Sequence, residues 1–392
     1  MEDKPRFYRD TRAVIDLDAI RHNVSEFRHR LPESCRLMAT VKANAYGHGS
    51  VQVARAALAA GATHLAVAFL DEALELRKAG LQAPILTLGY TPARGIRAAL
   101  EQDIALTVFD RESAETVIQE AKRAGGKARV HVKVDTGMGR LGIWEDQVLP
   151  LVQEWVREPH LEVEGLFTHF ATADNGDKEY AVQQHNRLLR VIDQLAEAGI
   201  HIPLIHCANS AAAIDMPDWC HGMIRLGISM YGYYPSEEVN QEAVRLQPAL
   251  TLKTRIVQLK RPPAGTGISY GKTAVTDGQQ WIATLPVGYA DGYSRLLSNR
   301  GVALVQGKRV PIIGRICMDQ TMLDVTSAMP VKVGEEVVLY GSQGSGTVHV
   351  DEVADLLDTI SYEVTCMIDR RVPRIYVSNG QVVDIVNPLE AV

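Results

Sequence analysis

The sequence predicts an α/β fold, a (β/α)8 barrel followed by a C-terminal mostly β domain. Three observations carry that reading. Between Leu37 and about Leu226, short apolar runs alternate with amphipathic segments that close on Gly, the pattern of successive βα units. Beyond Pro248 the pattern changes to β-branched runs separated by Gly and Pro. The chain has 392 residues, too many for one small core when a domain takes roughly 150.

Taken in order, Arg12 to Leu17 reads as a strand followed by an Asp18-capped helix, preceding the barrel and pairing elsewhere. Eight candidate strands follow, centred on Met38–Lys42, Leu65–Ala68, Ile85–Leu88, Ala105–Val108, Val130–Val134, Val163–Phe167, Ile205–Ala208 and Met223–Leu226. Eight parallel strands close a barrel. Ala-Leu-rich segments between them stop at Gly61, Gly80, Gly125 and Gly199, where a residue past the helix end turns left-handed without a Cβ penalty. The clearest helix is Glu179 to Ala198. The barrel with its preceding strand is assigned residues 1–240, and the C-terminal β domain residues 241–392. That domain shows strand runs at Leu252–Leu259, Trp281–Pro286, Val302–Val305, Val310–Ile316 and Glu336–Tyr340. One helix lies near Asp351 to Leu357, with Asp351 as its N-cap.

Composition excludes several classes. With 46% hydrophobic and 22% charged residues the chain is neither disordered nor membrane-embedded. Lys plus Arg number 41 against 47 acidic residues, a net charge of −6, and no basic run offers a footprint for nucleic acid. Met1 to Asp10 lacks the apolar core of a secretory signal, and the most apolar stretch, Ala57 to Leu70, is broken by Gly61, Thr63 and His64, so the expected location is the cytoplasm. The five cysteines are scattered without C-x-x-C spacing, which argues against disulfides or structural zinc. The doublets His206-Cys207 and Cys220-His221 read as packing, because adjacent residues rarely point at one ion, and no metal is expected.

A barrel enzyme keeps its working groups at the C-terminal ends of its strands. Lys42 ends the first strand, Lys133 and Arg140 lie at and after the fifth, His169 follows the sixth, Asn209 and Ser210 follow the seventh, and Arg225 lies on the eighth. Solvated charges scattered at random would not favour one rim. Lys42 stands in Val41-Lys-Ala-Asn-Ala-Tyr-Gly-His-Gly49, where an apolar strand delivers an ammonium into a tight polar turn. Desolvation there lowers the amine's pKa and permits Schiff-base chemistry. Taken alone, such a lysine is more often one that snorkels to solvent, and a lone strand-end histidine such as His169 is more often structural. Gly265-Thr-Gly267-Ile-Ser-Tyr-Gly271 imitates a dinucleotide loop, but its last glycine falls one position late and no βαβ unit follows.

The nine-residue string around Lys42 resembles the cofactor-lysine motif of the alanine racemases, pyridoxal-phosphate-dependent barrel enzymes. The resemblance continues through Lys133-Val-Asp-Thr-Gly-Met-Gly-Arg140, Thr168-His-Phe-Ala-Thr-Ala-Asp174, Cys207-Ala-Asn-Ser210, Arg225-Leu-Gly-Ile228 and Met230-Tyr-Gly232. It extends into the β domain with Ile268-Ser-Tyr-Gly271, Leu285-Pro-Val-Gly-Tyr-Ala-Asp-Gly292, Gly314-Arg-Ile-Cys-Met-Asp319 and Ile360-Ser-Tyr-Glu363, so essentially the whole chain is covered in order. One departure is Leu226, where many relatives carry proline; it is expected to alter packing more than chemistry.

The resemblance implies a division of labour. Lys42 binds pyridoxal 5'-phosphate as a Schiff base and serves one face of the substrate Cα, while Tyr270 is the base on the opposite face. Racemisation needs proton removal on one side and return on the other. A phenol near pKa ~10 needs help as a base, which the resemblance assigns to a chain from Tyr270 through His169 to Arg225. Arg225 also faces the pyridine nitrogen and, unable to give up its proton, leaves the ring a weaker electron sink, which limits side reactions. Tyr46, Ser210, Gly227 and Ile228 match the phosphate contacts.

Arg140 and the main chain of Met318 match substrate-carboxylate contacts, with Lys133 holding Arg140. Lys133 is either N-carboxylated or replaced in that role by an anion such as chloride. Tyr362 is counted among the cofactor contacts and, with Tyr270, narrows the pocket; Tyr289, Arg295, Arg315 and Asp174 match entrance residues. Alanine is the implied substrate, with serine the alternative at a lower rate. The D-alanine made would supply peptidoglycan precursors. Tyr270 is implied to come from the other subunit of a head-to-tail homodimer. Two rivals share the barrel: a non-catalytic cofactor-binding barrel, which lacks a second domain and its tyrosine, and a basic-amino-acid decarboxylase, which wants an acidic residue in place of Arg225.

Overall fold

The computed structural model describes residues 7–389; the start of the opening segment read above for its lack of a leader, residues 1–6, lies outside them. The described chain divides into two compact units, residues 19–45 with 50–247, and residues 7–18 with 46–49 and 248–389.

The first unit is the expected barrel. Its strands are Arg36–Thr40, His64–Val67, Ile85–Thr87, Ile104–Val108, Ala128–Asp135, Leu161–Phe167, Leu204–His206 and Met223–Leu226. They pair in parallel, and the eighth returns to the first, with Ile224 opposite Leu37 and Leu226 opposite Ala39. The seventh and eighth are joined by Gly222 N–H to Ile205 O (3.1 Å) and Arg225 N–H to Ala208 O (2.9 Å). Met38, Ala66, Leu86, Ala105, Leu204 and Met223 form a buried cluster drawn from six of these strands. Truncating a side chain of Leu or Met size in such a layer costs about 2–5 kcal/mol. The first strand ends at Thr40 rather than at Lys42, for a conformational reason given below.

The long outer helix spans Glu179–Glu197 and buries Ala181, Gln184, His185, Leu188, Val191 and Leu195, a stripe at helical spacing. Gly61, Gly80, Gly125 and Gly199 all have positive φ, as the four expected helix stops require.

The second unit is mostly β and takes in the N-terminal strand. Arg12–Asp16 lies between Leu250–Arg255, antiparallel with Ile15 opposite Leu250, and Arg374–Ser378, parallel with Ile15 opposite Tyr376. The strand assigned to the barrel domain therefore groups with the C-terminal sheet, and the compact barrel unit runs to Gln247. Its alternating burial, with Ala13 and Ile15 buried, fits a strand with one face on the core of that sheet. Asp18 does not cap the following helix. The Asp16 carboxylate accepts the Asp18 N–H at 2.8 Å, and Asp18 itself accepts from the Ser378 hydroxyl at 3.2 Å.

The run Leu252–Leu259 breaks after Arg255, and Gln258–Lys260 joins a separate sheet with Ile282–Leu285 and Thr321–Asp324. Of Val310–Ile316 only the beginning is strand, within Lys308–Pro311. Asp351 sits in the first turn of Val350–Leu357, where its charge suits the helix end, and His349 occupies the cap. A short helix, Ser361–Cys366, was not expected; it carries Tyr362. Among the described residues no helix is long and apolar enough to cross a membrane, and none of the five cysteines forms a disulfide.

Candidate active site

Past buried Val41, the backbone enters a left-handed turn. Ala43, Asn44, Ala45 and Tyr46 all have φ of 52°, and Gly47 and Gly49 follow at 85° and 99°. A left-handed residue with a side chain costs roughly 1–2 kcal/mol, so four in succession must be held by other contacts. Glu72 accepts the Ala43 N–H at 2.6 Å, Val41 O accepts the Ala45 N–H at 2.9 Å, and the Asn44 side chain accepts the Ser50 N–H at 3.0 Å. This turn explains why the strand stops early, and it presents half-buried Lys42 at its start.

Arg225, on the eighth strand, is 5% exposed and spends its guanidinium on five acceptors. Nη1 donates to His206 Nδ1 (3.0 Å) and His206 O (3.1 Å). Nη2 donates to Thr168 O (2.8 Å), Cys207 O (3.1 Å) and His169 Nδ1 (3.1 Å). Because a guanidinium only donates, both imidazoles accept at Nδ1 and carry their protons on Nε2. Burial pushes Arg225 down to about 10, which leaves it charged at neutral pH.

The network runs deeper than the sequence revealed. His206 Nε2 meets His131 Nδ1 at 2.9 Å, and His131 Nε2 meets Glu164 at 3.3 Å. Room for the His131 ring comes from Gly165 on the paired strand, where any Cβ would overlap the imidazole. His131, His206 and Glu164 lie on barrel strands with no motif to mark them; alternation in the fifth and seventh strands was the one available signal.

Four cations converge on His169. It is held well below the usual imidazole range by burial first, then by the charges of Arg225, Lys133, Arg140 and Lys42. Lys133 is 5% exposed, sits 4.6 Å from the centre of the Phe167 ring, and is likewise depressed by burial, then by Arg225 and Arg140, with Asp135 opposing. Asp135 accepts the N–H groups of Gly137 (2.9 Å) and Gly139 (3.1 Å), shaping the turn that leads to exposed Arg140. Such a concentration of positive charge suits an anionic ligand.

After the seventh and eighth strands lies a cradle of hydroxyls and N–H groups. Ser210 Oγ accepts the Gly227 N–H at 3.0 Å and faces the Ser229 N–H at 3.4 Å. Asn209 caps the short helix Ser210–Asp215 by accepting the Ala212 N–H. The Ser229 hydroxyl is buried and has no hydrogen-bond partner among the described residues. Buried hydroxyls are rarely left so, and a phosphate group fits this place chemically. These residues therefore fit the expected cofactor: an amine for its carbonyl, a cradle for its phosphate and a guanidinium for its ring nitrogen.

The second unit holds the remaining residues. Tyr46 is buried with its ring 5.9 Å from that of Tyr362, and burial raises its phenol above the usual range, so it is a neutral donor. Tyr270 is 70% exposed, on a strained turn in which Ser269, Gly271 and Lys272 have φ of 61°, 75° and 48°. Met318 has an exposed side chain, and its carbonyl accepts the Ala290 N–H at 3.1 Å. Asp174, of the barrel unit, and Arg315 are half-buried, while Tyr289 and Arg295 are exposed.

A closed parallel barrel with a rim lysine, a converging set of cations and a hydroxyl cradle defines a barrel enzyme built for an anionic cofactor. Two family models match the chain, "Alanine racemase, N-terminal domain" over residues 15–235 and "Alanine racemase, C-terminal domain" over residues 249–376. The chain belongs to the alanine racemase family. It is 50% identical to an alanine racemase of Desulforamulus reducens, covering 93% of this chain and 98% of that one. It is 47% identical to alanine racemase 2 of Caldanaerobacter subterraneus, covering 97% and 98%. Among solved structures, the Bacillus anthracis alanine racemase with bound L-Ala-P superposes with a TM-score of 0.92 at 44% identity, covering 98% of this chain and 99% of that one. A histidine racemase of Leuconostoc mesenteroides superposes at 0.86 with 30% identity, covering 96% and 100%.

Proposed function

We propose that this chain interconverts L- and D-alanine using pyridoxal 5'-phosphate bound through Lys42, and that it works in the cytoplasm to supply D-alanine for peptidoglycan precursors. The observation that carries the reading is the buried Arg225 guanidinium, which takes the place where a decarboxylase of this architecture wants an acidic group. When bound, the cofactor supplies an electron-withdrawing ring that acidifies the substrate Cα–H.

The chain's own residues do the rest. Ser210, the N–H groups of Gly227 and Ile228, and the Tyr46 phenol bind phosphate. Arg225 has no proton to give the ring nitrogen, so the excess charge on Cα is short-lived and is quenched by the nearest acid. Lys42 Nζ holds or delivers a proton on one face. Tyr270 Oη does so on the other, supplied in this proposal by a second copy of the chain, in keeping with its exposure and its place in the second unit. His169, with its proton on Nε2, offers that proton toward the phenol and stabilises the phenolate form. Arg140 and the Met318 N–H bind the substrate carboxylate, and Lys133 holds Arg140 either as a carbamate or through a bound anion. Burial lowers the Lys133 amine from its usual range, and it is the unprotonated fraction that reacts with carbon dioxide. Tyr362 and Tyr270 limit the side chain to a small one.

Incubating the cofactor-loaded protein with L-alanine in D2O tests the reading. Loss of optical rotation with deuterium at Cα is expected. Retained rotation without exchange, in protein that carries cofactor, overturns it; faster turnover of serine or histidine redirects the substrate alone.

A further inference from the structure

The two His-Cys doublets separate in the fold. His206 points to Arg225 and His131 while Cys207, the next residue along the strand's exit, turns the other way, and Cys220 lies against Cys35 while His221, in a turn with φ of 45°, faces away from it. There they meet a third residue, His185, from the long helix Glu179–Glu197. His185 Nε2 and His221 Nε2 are 3.0 Å apart, and the ligand atoms of His185, Cys207 and His221 all lie within 4.8 Å of one another.

We propose that His185, Cys207 and His221 form a binding site for one zinc-class divalent ion per chain, with water as the fourth ligand. Tetrahedral zinc with Zn–N bonds of 2.0–2.1 Å places two ligand nitrogens roughly 3.3 Å apart, close to the separation already present. Two imidazoles and one thiolate form a donor set for borderline and soft ions and a poor one for magnesium or calcium. The ligands are held in advance. The His185 ring stacks on Trp219 at 4.3 Å and 9°, the Trp219 carbonyl accepts the Cys207 thiol at 3.1 Å, and Phe170 packs against the Trp219 ring at 5.3 Å. His185 and Cys207 are buried while His221 is half-buried, which leaves a side for the ion and its water to enter. On binding, the Cys207 S–H bond breaks, its proton passes to solvent and the sulfur bonds the metal, with no change of oxidation state.

The site is distinct from the rim but joined to it through the backbone. The Cys207 carbonyl accepts from Arg225, and Ser210 of the phosphate cradle lies three residues on. An ion here would therefore stiffen the segment that carries both.

Titrating the cofactor-loaded protein with Co2+ tests the proposal. The expected result is one equivalent bound per chain, with the visible ligand-field bands of tetrahedral cobalt. Both should be lost in Cys207→Ser and in His221→Asn, and Zn2+ should displace the cobalt and raise the thermal midpoint. His221→Asn alters a half-buried residue, so it keeps the test open should Cys207→Ser fail to fold, with circular dichroism checking each variant. Absence of binding at micromolar cobalt, octahedral spectra, or the same stoichiometry in a folded His221→Asn protein would each overturn the assignment.

Discussion

Arg225 donates to His206 Nδ1 at 3.0 Å, and that single contact sets the direction of every hydrogen bond behind it. With its Nδ1 lone pair committed, His206 keeps its proton on Nε2 and donates to His131, which in turn donates to Glu164. The barrel thus holds a one-way chain from a cation at the rim to a carboxylate 61 residues before it in sequence, with both imidazoles neutral.

Breaking that chain is expected to cost stability. His206→Ala strands a guanidinium N–H and the His131 Nδ1 acceptor, a loss of about 1–3 kcal/mol in urea unfolding monitored by circular dichroism. His131→Ala acts further from the rim and should lower stability with a smaller effect on turnover. Equal effects on activity would show that the relay transmits more than position.

Acid should destabilise the barrel in two stages. Burial holds His64 at about 4 and lowers His131 and His206 below the free value of 6.5. Unfolding below pH ~6.5 therefore takes up protons, and stability falls as the pH drops, by up to ~1.4 kcal/mol per pH unit for each imidazole that stays neutral in the fold. Glu164, lowered to about 2 by the hydrogen bond from His131 and by Arg129, adds stability above 4.5 that is lost as the pH falls towards 2. Denaturant midpoints measured from pH 8 to pH 4 should decline from about 6.5 downward; a flat profile through pH 5 would contradict the buried neutral relay.

The left-handed turn after Lys42 yields a third expectation. Ala43 is exposed with φ of 52°, so Ala43→Gly removes the steric cost without leaving a cavity and should stabilise the fold by up to about 1 kcal/mol in thermal unfolding. If the strained turn also sets the position of Lys42, kcat falls while stability rises.

The proposed proton carriers separate cleanly by substitution. Lys42→Ala should abolish the visible absorbance of protein-bound cofactor and the racemase activity together. Tyr270→Phe should keep the absorbance, lower turnover by about 10²–10⁴-fold, and impair Cα exchange unequally for the two enantiomers. Symmetric loss in Tyr270→Phe would argue against opposite-face bases.

The sequence by itself determined the eight-strand alternation, the helix stops at glycine and the rim residues Lys42, Lys133, Arg140, His169, Ser210 and Arg225. Each of these rests on local periodicity or on a contiguous motif, which a linear reading can see. The tertiary structure alone decided where the strand Arg12–Asp16 pairs, since its two neighbours lie more than 230 residues away. It also decided the left-handed course after Val41, which Ala, Asn and Tyr do not prefer and which Glu72 and Ser50 help to hold from outside the motif. The same holds for the Glu164–His131–His206 relay and for the meeting of His185, Cys207 and His221. Their members are scattered through the sequence and become neighbours only when barrel closure brings strands and helices from distant segments together, because burial and hydrogen-bond partnership are properties of the packed fold rather than of the residue.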